Sequence, residues 1–210
     1  MALSPPLEFL ESTPSTMDEA RERIRDGRVT FDSRGAPSAL GVAARAQTAG
    51  RGQRGRGWFT AAGECVCATY YLRHALALPD EAGRIPIVAG VAIAELLAEA
   101  IPELSFGLKW PNDLIVADKK VGGILVEMAQ APDGGWVALV GVGINVRVRE
   151  FPLALRDTAT SIAIEEPFAG LLPVSVLART VGLTLHARAI AFSPASYAAH
   201  IAAWRGRDAS

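Results

Sequence analysis

Hydrophobic positions change period several times along the chain, and each change marks an element. Thr16-Met17-Asp18-Glu19 sets a capping hydroxyl three residues ahead of a carboxylate, and Gly27 follows ten residues later. This pattern predicts a short helix from about Met17 to Asp26, with Ser15 and Thr16 as candidate caps. Leu40–Gln47 and Glu64–Leu72 read as strands on either side of a glycine-rich loop. Ile85–Ile101 is apolar for nearly its whole length, broken by Glu95 and Glu99. It is shorter than the roughly 20 residues that cross a bilayer, so it predicts a buried helix. Phe106–Trp110, Asp113–Ala117, Lys120–Met128 and Trp136–Val146 read as successive strands. Turn signals at Pro111-Asn112, Asp118-Lys119 and Asp133-Gly134-Gly135 separate them. Connections this short imply largely antiparallel pairing. Leu172–Phe192 predicts a second long helix, and Ser193-Pro194 starts another with a serine cap and proline at its first position. The expected fold is α+β, a mostly antiparallel mixed sheet with helices packed on one face.

Composition narrows the class. With 210 residues, half of them hydrophobic, residues 1–210 suit one domain with a single large core. A formal charge of −1 argues against general nucleic-acid binding, so no DNA partner is expected. Cys65 and Cys67, two apart in a strand, share a face and read as small packing residues. No disulfide framework or zinc site is suggested, which points to a reduced, cytoplasmic setting. Met1-Ala2-Leu3-Ser4-Pro5-Pro6 lacks the charged start and apolar core of a secretory signal, and no membrane partner is expected. His74, His186 and His200 read as surface or helix-face residues.

Chemistry is concentrated in the loop from Ala46 to Trp58, which interleaves Gly50, Gly52, Gly55 and Gly57 with Arg51, Arg54 and Arg56. Glycine lets backbone approach a ligand, and each guanidinium can grip a phosphate or carboxylate with paired N–H bonds. Gly50, Gly52 and Gly55 match G-x-G-x-x-G, but a strand follows where the dinucleotide motif needs a helix. There is no Gly-Lys-Ser/Thr triplet either. Taken alone, the loop could equally be a surface hairpin with solvated arginines.

Three later blocks change that balance: Leu108-Lys109-Trp110-Pro111-Asn112-Asp113, then Lys119-Lys120-Val121-Gly122-Gly123-Ile124, then Val140-Gly141-Val142-Gly143-Ile144-Asn145. In this order behind the arginine–glycine loop, they resemble the catalytic domain of biotin–protein ligases, which adenylate biotin and pass it to a lysine of a carrier protein. The resemblance runs from about Ser12 to Trp204. It implies the fold shared with class II aminoacyl-tRNA synthetases and lipoate ligases. It also implies ATP with Mg²⁺, no tightly bound prosthetic group, and a biotin carboxyl carrier domain as partner. An exposed sheet edge could serve carrier docking or a homodimer.

The chemistry fits the residue types. A carboxylate, with a reference pKa of about 4, is already an anionic nucleophile toward the α-phosphate, so the site must screen two anions rather than supply a base. The resemblance implies a biotin pocket from Ser15, Thr16, Gln47, Gly50, Arg51, Lys120 and Gly123. It implies an ATP site from Arg54, Arg56, Trp58, Lys109, Asn112, Ile144 and Asn145. Lys120 and Arg51 would stabilise charge as the acyl-adenylate forms, and Asp113 would serve Mg²⁺ and catalysis. Lys119 reads as a solvated turn residue. Two departures from the pattern stand out: Met17, where the family often has Asn, and Gln53, where many members carry another Arg. The chain enters its motifs at Glu11–Thr16 and ends at Trp204–Ser210, so the winged-helix repressor domain and C-terminal β-barrel of many relatives are not expected within it, whether it is a minimal member or a shortened sequence. A lipoate or other carboxylate ligase on the same fold, and a noncatalytic biotin or adenylate binder, are the alternatives.

Overall fold

The computed structural model describes residues 5–73, 79–191, 198–199 and 201–203. The chain runs through β1 (Leu7–Thr13), α1 (Thr16–Arg25), β2 (Gly41–Gln47), β3 (Cys65–Leu72), α2 (Ile85–Ala100), β4 (Gly107–Lys109), β5 (Asp113–Val116), β6 (Lys119–Gln130), β7 (Trp136–Asn145), α3 (Ile162–Glu165) and α4 (Val174–Ile190). The strands form one seven-stranded sheet in the order β1-β2-β3-β7-β6-β5-β4. β1 and β2 are parallel, and every other neighbouring pair is antiparallel. The mixed, mostly antiparallel sheet expected from the short connections is what forms. The hairpin between β5 and β6 turns on Ala117 and Asp118, both at positive φ, as a two-residue hairpin turn requires.

β1 had no counterpart in the sequence reading. Of its residues only Leu7 and Thr13 are buried, because it lies at the sheet edge, so no alternation announces it. The start of the helix expected at Ser193-Pro194 lies outside the described residues, as do His74 and His200, and the described residues beyond it, 198–199 and 201–203, are helical.

Alternation along the central strands sorts the core between the two faces. Val66, Ala68, Tyr70 and Leu72 of β3 and Ala138, Val140, Val142 and Ile144 of β7 pack in one cluster with α2 and α4. Both long helices therefore lie on one face, as expected. The α2 segment is buried from Ile85 to Ala94 and again at Leu97, which explains an apolar run that only Glu95 and Glu99 interrupt. α4 comes close to β3: the Tyr70 hydroxyl donates to the Ala178 carbonyl at 2.7 Å. A Cβ on Gly182 would stand 2.8 Å from the Tyr70 ring. Glycine inside a helix costs about 1 kcal/mol relative to alanine, and here it makes room for a fully buried aromatic ring.

The short α1 packs on the opposite face, so the expectation of helices on one face holds for the two long helices and not for α1. Its Met17, Ala20 and Ile24 meet Val42, Tyr71, Val137 and Leu139. Its N-cap is Ser15, whose hydroxyl accepts from the Met17 N–H at 3.3 Å. Thr16, the other candidate, is inside the helix and is engaged elsewhere.

Candidate active site

Beside α1, on the sheet face away from the long helices, lies a cavity of about 480 Å³. Its floor is made by residues of β3, β7 and β6, and glycines keep that floor low. A Cβ on Gly143 would stand 2.4 Å from two carbons of the Trp58 indole, and one on Gly123 would stand 3.5 Å from the same ring. Trp58 therefore lies against the backbone of β7 and β6. Its indole N–H is buried and faces the Cys67 thiol.

At the β2–β3 side the cavity wall is polar. Gln47 Oε1 accepts from the Thr16 backbone N–H at 2.8 Å and from the Thr16 hydroxyl at 3.1 Å. Thr16 Oγ1 also lies 3.0 Å from Thr69 Oγ1 in a buried pair, and with its one proton on Gln47 it accepts from the Thr69 hydroxyl. With its oxygen occupied, Gln47 has only N–H groups to give, and these are shared between the Cys67 thiol beside it and the cavity. Met17 adds an apolar wall, its methyl placed where a Cβ on Gly141 would lie 2.9 Å away.

At the β5–β6 side the wall is charged, and a bulge creates it. Leu114 pairs with Gly122 but Ile115 pairs with Lys120, so Val121 is the extra residue. In a regular strand Lys120 and Gly123, three apart, would face opposite sides of the sheet. The bulge brings them to the same side, with Lys120 Nζ 3.1 Å from where a Gly123 Cβ would lie. Lys120 Nζ sits 2.6 Å from Asp113 Oδ1 and 5.6 Å from the Trp58 ring centroid, within cation–π range.

The arginine–glycine loop is a tight hairpin at the mouth. Trp58 N–H donates to the Gly50 carbonyl at 2.8 Å, Gly52 N–H donates to the Arg56 carbonyl at 2.7 Å, and Arg51 and Gly57 form a bridge. Arg51 forms a bidentate pair with Asp18, both contacts at 2.7 Å, and this partner holds its guanidinium further toward the charged form.

Ser15, Thr16, Gln47, Arg51, Arg56, Trp58, Lys109, Asn112, Asp113, Lys120, Gly123 and Asn145 all line this one cavity. Three other sequence candidates do not. Gly50 lies behind the wall, where a Cβ would press on the Trp58 carbonyl at 3.0 Å and on Gln47 Nε2 at 3.1 Å. Arg54 is exposed at the loop tip with φ of 57°. Ile144 is fully buried on the helix face, because alternation turns it away from Asn145 and Gly143.

Asn112 and Asn145 are in place but already committed. Asn112 Nδ2 donates to the Ile124 carbonyl at 2.9 Å, and Asn145 Nδ2 donates to the Thr160 carbonyl at 2.9 Å. Both are buried and tie backbone segments around the cavity. The segment after β7, which contributes Phe151, Leu155 and Asp157–Ala159 to the wall, went unseen in the sequence reading. It is attached through Lys120, whose N–H donates to the Thr158 carbonyl and whose carbonyl accepts from Thr160 N–H, both at 2.9 Å. Thr69 was also missed, although a hydroxyl inside an otherwise fully buried strand was a usable signal. Cys65 and Cys67 share a face as expected, packed with Val148 and Phe151. The Cys67 thiol, together with burial, pushes the Cys65 pKa upward.

Comparison with known proteins identifies the family. A bifunctional ligase/repressor of Bacillus subtilis is 36% identical over 130 residues, 61% of this chain and 39% of that protein. The chain thus spans about two fifths of the length of that relative. The Leishmania major biotin protein ligase in complex with biotinyl-5-AMP superposes with a TM-score of 0.75 at 26% identity, covering 99% of this chain and 83% of that one. The Aquifex aeolicus biotin protein ligase in complex with biotin and ATP gives 0.61 at 29% identity, covering 88% and 73%. The model of the biotin/lipoate A/B protein ligase family matches residues 10–145, the stretch from β1 to β7 that builds most of the cavity, and the chain belongs to that family.

Proposed function

We propose that this chain activates biotin with ATP as biotinyl-5′-AMP and transfers the biotinyl group to a lysine of a biotin carboxyl carrier domain. The observation that carries this reading is the position of Lys120 between two differently built walls of one cavity. On the β2–β3 side, Thr16, Gln47 and Thr69 offer donors and acceptors suited to a ureido ring. On the β5–β6 side stand Lys109, Asn112 and Asp113. Lys120 on β6 stands between the two walls, which supports a role where a carboxylate reaching across the floor would meet an α-phosphate. Both reacting groups are anionic, and a fixed ammonium screens their repulsion and the charge that develops between them.

In this reading Ser15, Thr16, Gln47, Arg51 and Gly123 hold the acid, while Trp58, Arg56 and Lys109 face the nucleotide. Asn112 and Asn145 act by fixing the walls through the Ile124 and Thr160 carbonyls. Mg²⁺ would take Asp113 as its protein carboxylate. Among the described residues no group of three His, Cys, Asp or Glu side chains converges, which suits an ion held mainly by phosphates and water.

Met17 favours a second reading, since its apolar wall offers no hydrogen bond to a ureido group and would accept the dithiolane of lipoate. Acid-dependent ATP–pyrophosphate exchange with biotin and lipoate in parallel, followed by transfer to a biotin carrier domain, separates the two. Exchange with biotin and a labelled carrier is the expected result. Exchange with lipoate alone would assign the second reading, and acid binding without exchange would mark a noncatalytic relative.

A further inference from the structure

Four charged side chains form a row behind the cavity mouth. Asp18 and Arg21 lie one turn apart on α1, Arg51 opens the glycine loop, and Glu127 stands on β6. Arg51 makes its bidentate contact with Asp18 and lies 3.7 Å from Glu127 Oε1. Glu127 Oε2 is 2.5 Å from Arg21 Nη2, and Arg21 Nη1 donates to the Met128 carbonyl at 3.0 Å. The row therefore fastens helix, loop and sheet to one another.

Only Arg51 of these four lines the cavity. Its two carboxylate partners grip the guanidinium from outside, so they orient it without competing for the space a ligand would take. Asp18 is itself well anchored. It lies in the first turn of α1, where the helix dipole favours a carboxylate. A long arginine side chain loses considerable rotamer freedom when it binds an anion. Holding it beforehand removes that loss from the binding step.

We infer that Asp18, supported by Glu127, is a positioning residue that presents Arg51 to the anionic part of the substrate; this rests on the ligase reading above. Asp18 touches no reacting atom and acts through Arg51. The tests are the variants Asp18→Ala, Asp18→Asn, Arg51→Ala and Asp18→Ala/Arg51→Ala, read by pyrophosphate exchange. Asp18→Ala should raise KM for the acid substrate roughly tenfold, the order expected for a charge-assisted bidentate contact. Asp18→Asn should fall between it and wild type, and KM for ATP should stay within about twofold. In the Arg51→Ala background the Asp18 substitution should add nothing, because residues acting through one contact are not additive. Unchanged KM in Asp18→Ala, or an undiminished effect without Arg51, would overturn the inference and leave the ligase reading intact.

Tryptic cleavage after Arg54 in the ligand-free protein gives a readout independent of catalysis. Asp18→Ala should speed it severalfold by releasing the loop, and equal rates would overturn the inference. If the wild type exchanges neither acid, the ligase reading fails and this cleavage comparison alone decides the role of Asp18.

Discussion

Replacing Lys120 with alanine separates what this lysine does for the fold from the role proposed for it in the reaction. In the fold it makes the 2.6 Å pair with Asp113, whose side chain is 22% exposed against 33% for the lysine. Fully exposed pairs contribute about 0–1 kcal/mol, and breaking a fully buried one costs about 3–5 kcal/mol. The partial exposure here places the loss at about 1–2 kcal/mol, because water can reach the carboxylate left behind. The contact with Trp58 at 5.6 Å adds about 0.5–1 kcal/mol. At about 2–4 °C per kcal/mol for a chain of this size, Tm should fall by several degrees while the protein stays folded. For the reaction, removing one preorganised charge-stabilising donor costs about 2.7–4 kcal/mol, a hundredfold to a thousandfold in rate. Biotin-dependent ATP–pyrophosphate exchange should therefore collapse in a protein that is nearly all native. Adding Asp113→Asn should recover part of the lost Tm by removing the unpaired carboxylate, with exchange still absent. Lys120→Ala exchanging within about threefold of wild type at normal Tm would refute the role of Lys120, whatever the fate of the family assignment.

Gly143→Ala should displace the Trp58 indole, since the added Cβ would stand 2.4 Å from two ring carbons. A stability loss of about 1–3 kcal/mol, weaker ATP binding by calorimetry and altered indole fluorescence are expected, and an unchanged spectrum would contradict the packing described. Glu19, whose carboxyl is held below its ordinary pKa by the hydrogen bond from Arg23 and also by Thr13, should contribute stability that is present above about pH 4.5 and lost as pH falls through the lower folded value. Denaturation of Glu19→Gln between pH 6 and 3 should give a flatter profile by about 1 kcal/mol or less, and identical slopes would count against it. Gln53 lines the cavity where a cation would help hold an adenylate. Gln53→Arg should accordingly release less free biotinyl-adenylate than wild type in a single-turnover filtration assay, and equal release would dismiss the idea.

Much of this protein was legible in one dimension. The alternation through Trp136–Val146 and the long apolar run of α2 followed from burial on one or both sides, a property that leaves its period in the sequence. The four motif blocks were legible because turns and close backbone approaches demand glycine, proline or asparagine at fixed offsets. What did not show depends on partners distant in sequence. The edge strand β1 buries too little to carry a period, and α1 could be called a helix but not assigned to a face. That the Asn112 and Asn145 amides also brace the Ile124 and Thr160 carbonyls could not be read from the sequence. The pairing of Arg51 with Asp18, 33 residues away, has no local signature at all. Strict alternation would also have put Lys120 and Gly123 on opposite faces. The extra residue at Val121 exists only relative to β5, because a bulge is a property of two paired strands. The sequence by itself determined which side chains could do the chemistry, through residue type and local turn demands. Only the tertiary structure decided which of them share a cavity, because that depends on register and on pairing between distant segments.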